Sequence, residues 1–125
     1  MRDMDLIRDI LLVTENKCEA NSFYTFEDGL FAGFTEEEIY MHSKLLFEKG
    51  FLRKTPQTLS YSVCVSGLTW EGYDFLDSVR DPEIWRKTKA AGEKVGGWTV
   101  GILADYAKGL IKLQFDNMLL SLIHI

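Results

Sequence analysis

The residues able to do chemistry are few. Glu36, Glu37 and Glu38 stand in a row and His42 follows; Cys18 and Cys64 are the only thiols, and the second histidine, His124, lies near the end of the chain. Three adjacent carboxylates on a helix spread around its circumference instead of pairing for acid–base work, and they favour the positive end of the helix dipole. A lone histidine at core-adjacent helical spacing is more often hydrogen-bonded packing than a catalyst, although an imidazole can titrate near neutrality. Zinc needs about four N, S or O ligands, and a chain this poor in His and Cys offers no cluster. The cysteines are expected as free thiols, with Cys64 on a strand. No G-x-S-x-G, P-loop, G-x-G-x-x-G or H-E-x-x-H pattern occurs. The expectation is a protein that is not an enzyme, with no cofactor, no metal and no evident small-molecule substrate.

Composition narrows the class further. The 125 residues are 46% apolar and 26% charged, the balance of a globular chain long enough to bury one core. The formal net charge of −5 disfavours non-specific nucleic-acid binding. Its distribution is uneven: residues 1–50 carry 5 Lys/Arg against 11 Asp/Glu, a balance of −6, and residues 51–95 carry 7 against 6. Basic surface must therefore come from the middle of the chain. The start, "MRDMDLIRDILL", lacks a long apolar core and a small-residue cleavage site, so no signal peptide is indicated. No uninterrupted apolar run reaches the roughly 18 residues of a membrane span, and the chain reads as cytoplasmic.

These residues need elements to hold them. Asp3 or Asp5 can cap a first helix with Leu6, Ile7, Ile10, Leu11 and Thr14 at helical spacing, fading near Asn16. Residues 17–34 are aromatic-rich and glycine-broken, and fit either one short helical turn or a short strand. Thr35-Glu-Glu-Glu38 is an S/T-x-x-E capping box, and Gly50 closes the segment after Lys49, so a helix is expected from about 36 to 49. Beyond it, "FLRKT" and "TLSYSVCVSG" flank Pro56-Gln57. Leu59, Tyr61, Val63 and Val65 alternate with Ser60, Ser62, Cys64 and Ser66, the period of a half-buried strand, and the two stretches are expected to form a hairpin.

Three more helices complete the chain. "LTWEGYDFLDSV" has Thr69 as cap and Leu68, Phe75, Leu76 and Val79 as buried positions; Gly72 inside it costs about 1 kcal/mol relative to alanine and implies close packing. Asp81 caps the next, Pro82 takes its first helical position and Gly96-Gly97 stop it. The last runs from about Thr99 to Leu113 or beyond, with Leu103, Tyr106, Ala107, Leu110 and Ile111 on one side. It is a candidate dimerisation element or a cover for the core. The final "LSLIHI" breaks this amphipathic pattern, and its back-translation matches the mosaic end of a common transposon sequencing adapter. Leu120–Ile125 is therefore expected to be a non-native, adapter-derived tail, and His124 carries no functional weight.

Helix, irregular segment, capped helix, glycine, hairpin, helix is the order of a winged helix-turn-helix. The expected fold is α+β and mostly helical: a winged-helix-like domain over 1–80 with a β-hairpin wing, and a C-terminal helical extension over 81–119 packing on it. "IYMHSKLLFEKGFL" resembles the recognition helix of small bacterial winged-helix repressors, with Ser43 where leucine is usual and Phe47 where a polar residue is usual. More specifically, "MRDMDLIRDILL", "EEIYMHSKLLFEKGFL" and "GLTWEGYDFLDSVRDPEIWRKTK" together resemble a bacterial and phage family, domain of unknown function 2513, over roughly residues 1–112. Gly67 to Asp77 and Arg80 to Lys87 carry most of the likeness. The resemblance implies a winged-helix-like domain in a prophage or mobile-element setting, and it carries over no functional residue.

Helix 36–49 then divides by face. Ile39, Ser43, Leu46 and Gly50, flanked by His42 and Phe47, form the core side; Glu37, Met41, Lys44, Leu45 and Glu48 form the other. DNA reading wants Arg, Lys, Asn, Gln or Ser in the first turns, and glutamates near phosphates repel. Lys44, with Arg53 and Lys54 at the start of the wing and Arg86, Lys87 and Lys89 on a later helix, are the candidate DNA contacts. Glu37, Met41, Leu45 and Glu48 are the candidate protein contacts, since exposed Met and Leu among charges are common at interfaces. Two expectations result: a small regulatory or accessory protein that binds DNA weakly or as a homodimer, or the same fold used as a protein-interaction module without DNA binding.

Overall fold

A computed structural model of the chain describes residues 2–19, 22–56, 60–96 and 99–123. Five helices and one small sheet follow in the order α1 (Met4–Lys17), β1 (Tyr24–Thr25), α2 (Glu36–Lys49), β2 (Cys64–Val65), α3 (Trp70–Val79), α4 (Pro82–Val95) and α5 (Val100–Ile123). The class is α+β and mostly helical, as the sequence pattern leads one to expect. Contacts divide the chain into two compact units, Met1–Leu76 and Asp77–Ile125, and the division falls inside α3.

In the first unit, Asp3 is the α1 cap, its Oδ1 accepting the Leu6 N–H at 3.1 Å. Leu6, Ile7, Ile10, Leu11 and Thr14 are all buried, as their spacing requires. This helix packs against α2. At α2 both halves of the capping box are made: Glu38 N–H donates to Thr35 Oγ1 at 3.1 Å, and Thr35 N–H donates to Glu38 Oε1 at 3.0 Å. The other end needs a left-handed residue. Gly50 has φ 83°, and the N–H groups of Gly50 and Phe51 turn back to Phe47 O and Leu46 O, the glycine stop of a helix.

The expected hairpin is corrected. Among the described residues β2 pairs antiparallel not with 51–55 but with β1, in the register Tyr24↔Val65 and Thr25↔Cys64, extended by Phe26 N–H to Val63 O at 2.9 Å. Of the two alternatives for residues 17–34, a short strand is the outcome. Among the described residues the backbone of 51–55 meets that of 62–69 at the base, through the Leu52↔Leu68 bridge, Arg53 N–H to Gly67 O and Thr69 N–H to Phe51 O, both 3.0 Å. Pro56 has no N–H to extend that ladder, and Thr55 reaches Cys64 O through its side-chain Oγ1 at 2.8 Å. Val63 and Val65 are buried as the alternation predicts, but Tyr61 is 53% exposed and lies against Tyr40, with ring centroids 5.3 Å apart. Leu59 and the Gln57 turn position lie outside the described residues.

Gly72 sits where α3 meets backbone. A Cβ there would stand 2.2 Å from the Phe51 carbonyl oxygen, so the close packing that its place in a helix suggests is present. Thr69 Oγ1 caps the helix by accepting Gly72 N–H at 3.0 Å and itself donates to Gly50 O. Phe51 and Phe75 stack at 5.3 Å.

In the second unit Asp81 Oδ1 accepts the Glu83 and Ile84 N–H groups, both at 2.9 Å, Pro82 opens α4, and Gly96 ends it at φ 68°; Gly97 lies outside the described residues. Ile84, Trp85, Thr88 and Gly92 are buried on α4, which packs with α5. On α5 the buried side is narrower than expected. Leu103, Ala104 and Ala107 are buried, Leu110 is half-buried, and Tyr106 and Ile111 are exposed. The helix continues to Ile123, and residues 111–123 are all exposed, so among the described residues nothing buries the apolar spacing beyond Leu110. His124 lies outside the described residues. Among the described residues no helix is long and apolar enough to cross a membrane.

Candidate functional site

The first unit displays α2. Its inner face is built by Ile39, Ser43 and Leu46, with His42, all buried. His42 is fixed from both sides: Nδ1 lies 2.7 Å from Glu38 O, and Nε2 accepts Asp3 N–H at 2.8 Å. A carbonyl can only accept and an amide N–H can only donate, so Nδ1 carries the proton and Nε2 the lone pair. The imidazole is a structural bracket between the start of α1 and α2.

The acidic start of α2 is organised locally. The hydrogen bonds from Thr35 hold the Glu38 carboxyl below the usual range. Glu36 shows the opposite shift: a hydrogen bond with the Asp28 side chain, then the charge of Asp28, push its carboxyl up. Two carboxylates thus stand together at the exposed end of the helix, with Glu37 beside them.

The outer side of α2 presents two neighbouring hollows. One, of about 520 Å³, is lined by Glu37, Met41 and Leu45 together with Arg2, Glu38 and His42. Met41 is 47% and Leu45 36% exposed. The other is a cleft of about 390 Å³ between α2 and the arms 54–55 and 63, lined by Tyr40, Ser43, Lys44, Phe47, Glu48, Lys54, Thr55 and Val63. Of the four candidate protein contacts, Glu37, Met41 and Leu45 therefore come together, whereas Glu48 turns to the cleft.

The candidate DNA contacts divide three ways. Lys44 and Lys54 share the cleft. Arg53 lines a separate hollow with Cys18, Glu19, Ser66, Gly67, Leu68 and Tyr73, its Nε donating to Leu68 O at 3.3 Å. Arg86, Lys87 and Lys89 belong to the second unit, where Arg86 is paired with Glu83 one turn earlier on α4 and Lys89 Nζ lies 5.8 Å from the Trp85 ring centre. The pair lowers the Glu83 carboxyl and raises the Arg86 guanidinium.

Both cysteines are free, with Cys64 on β2. Cys18 Sγ lies 3.7 Å from Val65 O, and burial, then the neighbouring Cys64, push its thiol up, away from the thiolate form that reacts. Among the described residues no group of three His, Cys, Asp or Glu gathers as metal ligands.

Sequence reasoning placed Ser43 and Phe47 in the core and passed over Tyr40, Thr55 and Val63, the remaining walls of the cleft. A signal was present: Tyr40, Lys44 and Phe47 recur at helical spacing, and Ser43 is a polar residue at a core position.

The profile of the family described as Hypothetical protein (DUF2513) matches residues 1–98, somewhat less than the roughly 112 residues over which the resemblance was read. An uncharacterised protein of Haemophilus influenzae is 36% identical over 90 residues, covering 70% of this chain and 75% of that protein. No solved structure matches.

Proposed function

The chain belongs to the DUF2513 family, and from that premise we propose that it is a small winged-helix-like protein-interaction module that engages its partner through α2. The observation that carries this reading is the Met41–Leu45 ridge, two large exposed apolar side chains in one hollow with the carboxylates Glu37 and Glu38. Exposed apolar residues rimmed by charge suit a protein contact. Glu36, Glu37 and Glu38, with Asp28 beside Glu36, place negative charge where the first turn of a reading helix would meet phosphates.

Weak DNA binding is the second reading, and the sharing of one cleft by Lys44 and Lys54 favours it. Two measurements separate them. With the full chain as bait, Met41→Lys combined with Leu45→Lys is expected to abolish partner capture without lowering the melting temperature; unchanged capture removes the basis of the protein reading. Random-sequence duplex DNA at low salt is expected not to bind. Binding that Lys44→Glu and Lys54→Glu abolish reverses the conclusion in favour of DNA.

A further inference from the structure

The cleft beside α2 contains a group that the fold leaves unused. Ser43 is 1% exposed and its Oγ has no hydrogen-bond partner, yet it lines the cleft. A buried hydroxyl without a partner destabilises a fold; Thr14 Oγ1 shares that state, but Ser43 has it in the wall of a cleft. Around it the walls are aromatic and aliphatic: Tyr40, Phe47 and Val63. Lys44, Lys54 and Glu48 are the charged residues lining the cleft, two positive against one negative.

We infer that this cleft is the anchor pocket for a tyrosine side chain of a partner protein, carried in a segment with acidic neighbours. The ring packs on Tyr40, Phe47 and Val63, the phenolic hydroxyl pairs with Ser43 Oγ, and an adjacent carboxylate meets Lys44 and Lys54. Tyrosine fits because its hydroxyl both donates and accepts, as does that of serine. The tryptophan N–H donates only, and phenylalanine leaves Ser43 unpaired. Charge selects the neighbours: the excess of lysine over glutamate around the cleft favours an acidic segment and disfavours a basic one.

The inference rests on the interaction-module reading and is tested separately from it. Met41→Lys and Leu45→Lys probe the adjoining hollow, whereas the cleft is probed with two peptides, Ac-Glu-Tyr-Glu-NH2 and Ac-Glu-Phe-Glu-NH2, titrated into the isotope-labelled full chain and followed by backbone amide shifts. The tyrosine peptide is expected to shift the amides of residues 40–48, 54, 55 and 63 and to bind roughly three- to tenfold more tightly than the phenylalanine peptide, the range for one hydrogen bond to an otherwise unpaired buried group. Ser43→Ala is expected to erase that preference while the melting temperature holds or rises, a combination that a purely structural serine does not give. Lys44→Ala with Lys54→Ala is expected to weaken both peptides alike.

Equal affinity of the two peptides for the native protein, or shifts confined to other residues, overturns the inference without any variant being needed. Tighter binding of free 4-hydroxyphenylacetate than of the tyrosine peptide overturns the peptide source in favour of a small aromatic acid. Concentration-dependent shifts of the same amides in the protein alone overturn it in favour of a second copy of this chain.

Discussion

Gly72 lies directly on the backbone of Phe51: a Cβ at position 72 would be 2.2 Å from the Phe51 carbonyl oxygen and 3.0 Å from its carbonyl carbon. That oxygen already accepts the Thr69 N–H at 3.0 Å, so it cannot move away without breaking the seam between α3 and the stretch after α2. In an unobstructed helix interior, replacing glycine by alanine stabilises by about 0.5–1 kcal/mol. Here overpacking of about 1–3 kcal/mol opposes that gain. Gly72→Ala is therefore expected to lower the urea midpoint. Gly109→Ala on α5, where a Cβ meets nothing within 4 Å, is expected to raise helix stability. Equal effects of the two substitutions would remove the steric explanation.

The bracket made by His42 leads to a second expectation. Removing the imidazole leaves the part-buried Asp3 N–H without its acceptor, which costs up to the roughly 1–3 kcal/mol of an unpaired buried donor; the emptied volume adds to this. His42→Ala is expected to cost about 2–4 kcal/mol with an unchanged denaturant slope. His42→Phe restores volume but no acceptor, so it is expected to recover only part of the loss. Full recovery would show that His42 acts by filling space alone.

The two shifted glutamates at the start of α2 predict opposite responses to pH. Glu36 is raised by Asp28, so its folded form binds a proton more readily than the unfolded chain. Its contribution is fully present at pH below the usual carboxylate range and is lost as pH rises through the raised value. Glu38 is lowered by its bonds to Thr35; its contribution is present above the usual range and is lost as pH falls through the depressed value. Asp28→Asn is expected to bring the Glu36 titration, read by carbon-detected NMR, to lower pH and to leave Glu38 in place. A Glu36 titration that does not move would exclude Asp28 as the cause.

Local chemistry made the helices legible. The Thr35–Glu38 box, Asp3, Asp81-Pro82, Gly50 and Gly96 each act within one helical turn, and the caps and stops are where the sequence places them. The sheet was not legible because its pairing is non-local: β1 and β2 stand about forty residues apart, and alternation specifies which face of a strand is buried but not its partner. The site was half legible. Helical spacing separated the Met41–Leu45 ridge from the core side, but the cleft needs Thr55 and Val63 from the arms after α2, and helical periodicity cannot anticipate a wall from another element. The sequence pattern put Ser43 with the core, where it is indeed buried, while the missing hydrogen bond is a fact of three-dimensional surroundings alone.

The placement of Lys44, Arg53 and Lys54 bounds what these three candidate contacts can contribute to DNA binding. Each phosphate neutralised contributes about −0.9 to the slope of log K against log salt for duplex DNA. In the first unit Lys44 and Lys54 share one cleft, and Arg53 lines another hollow beside Glu19. These three candidate contacts can together account for a slope of about −2 to −3, whereas proteins that make 6–10 phosphate contacts show far steeper dependence. Glu36, Glu37 and Glu38 on the first turn of α2 reduce the attraction further. Fluorescence anisotropy with a random duplex is expected to give no binding at physiological salt and at most a shallow salt dependence below it. A steep slope that Lys44→Glu and Lys54→Glu flatten would mean that these lysines outweigh the glutamates, and the partner would then be nucleic acid.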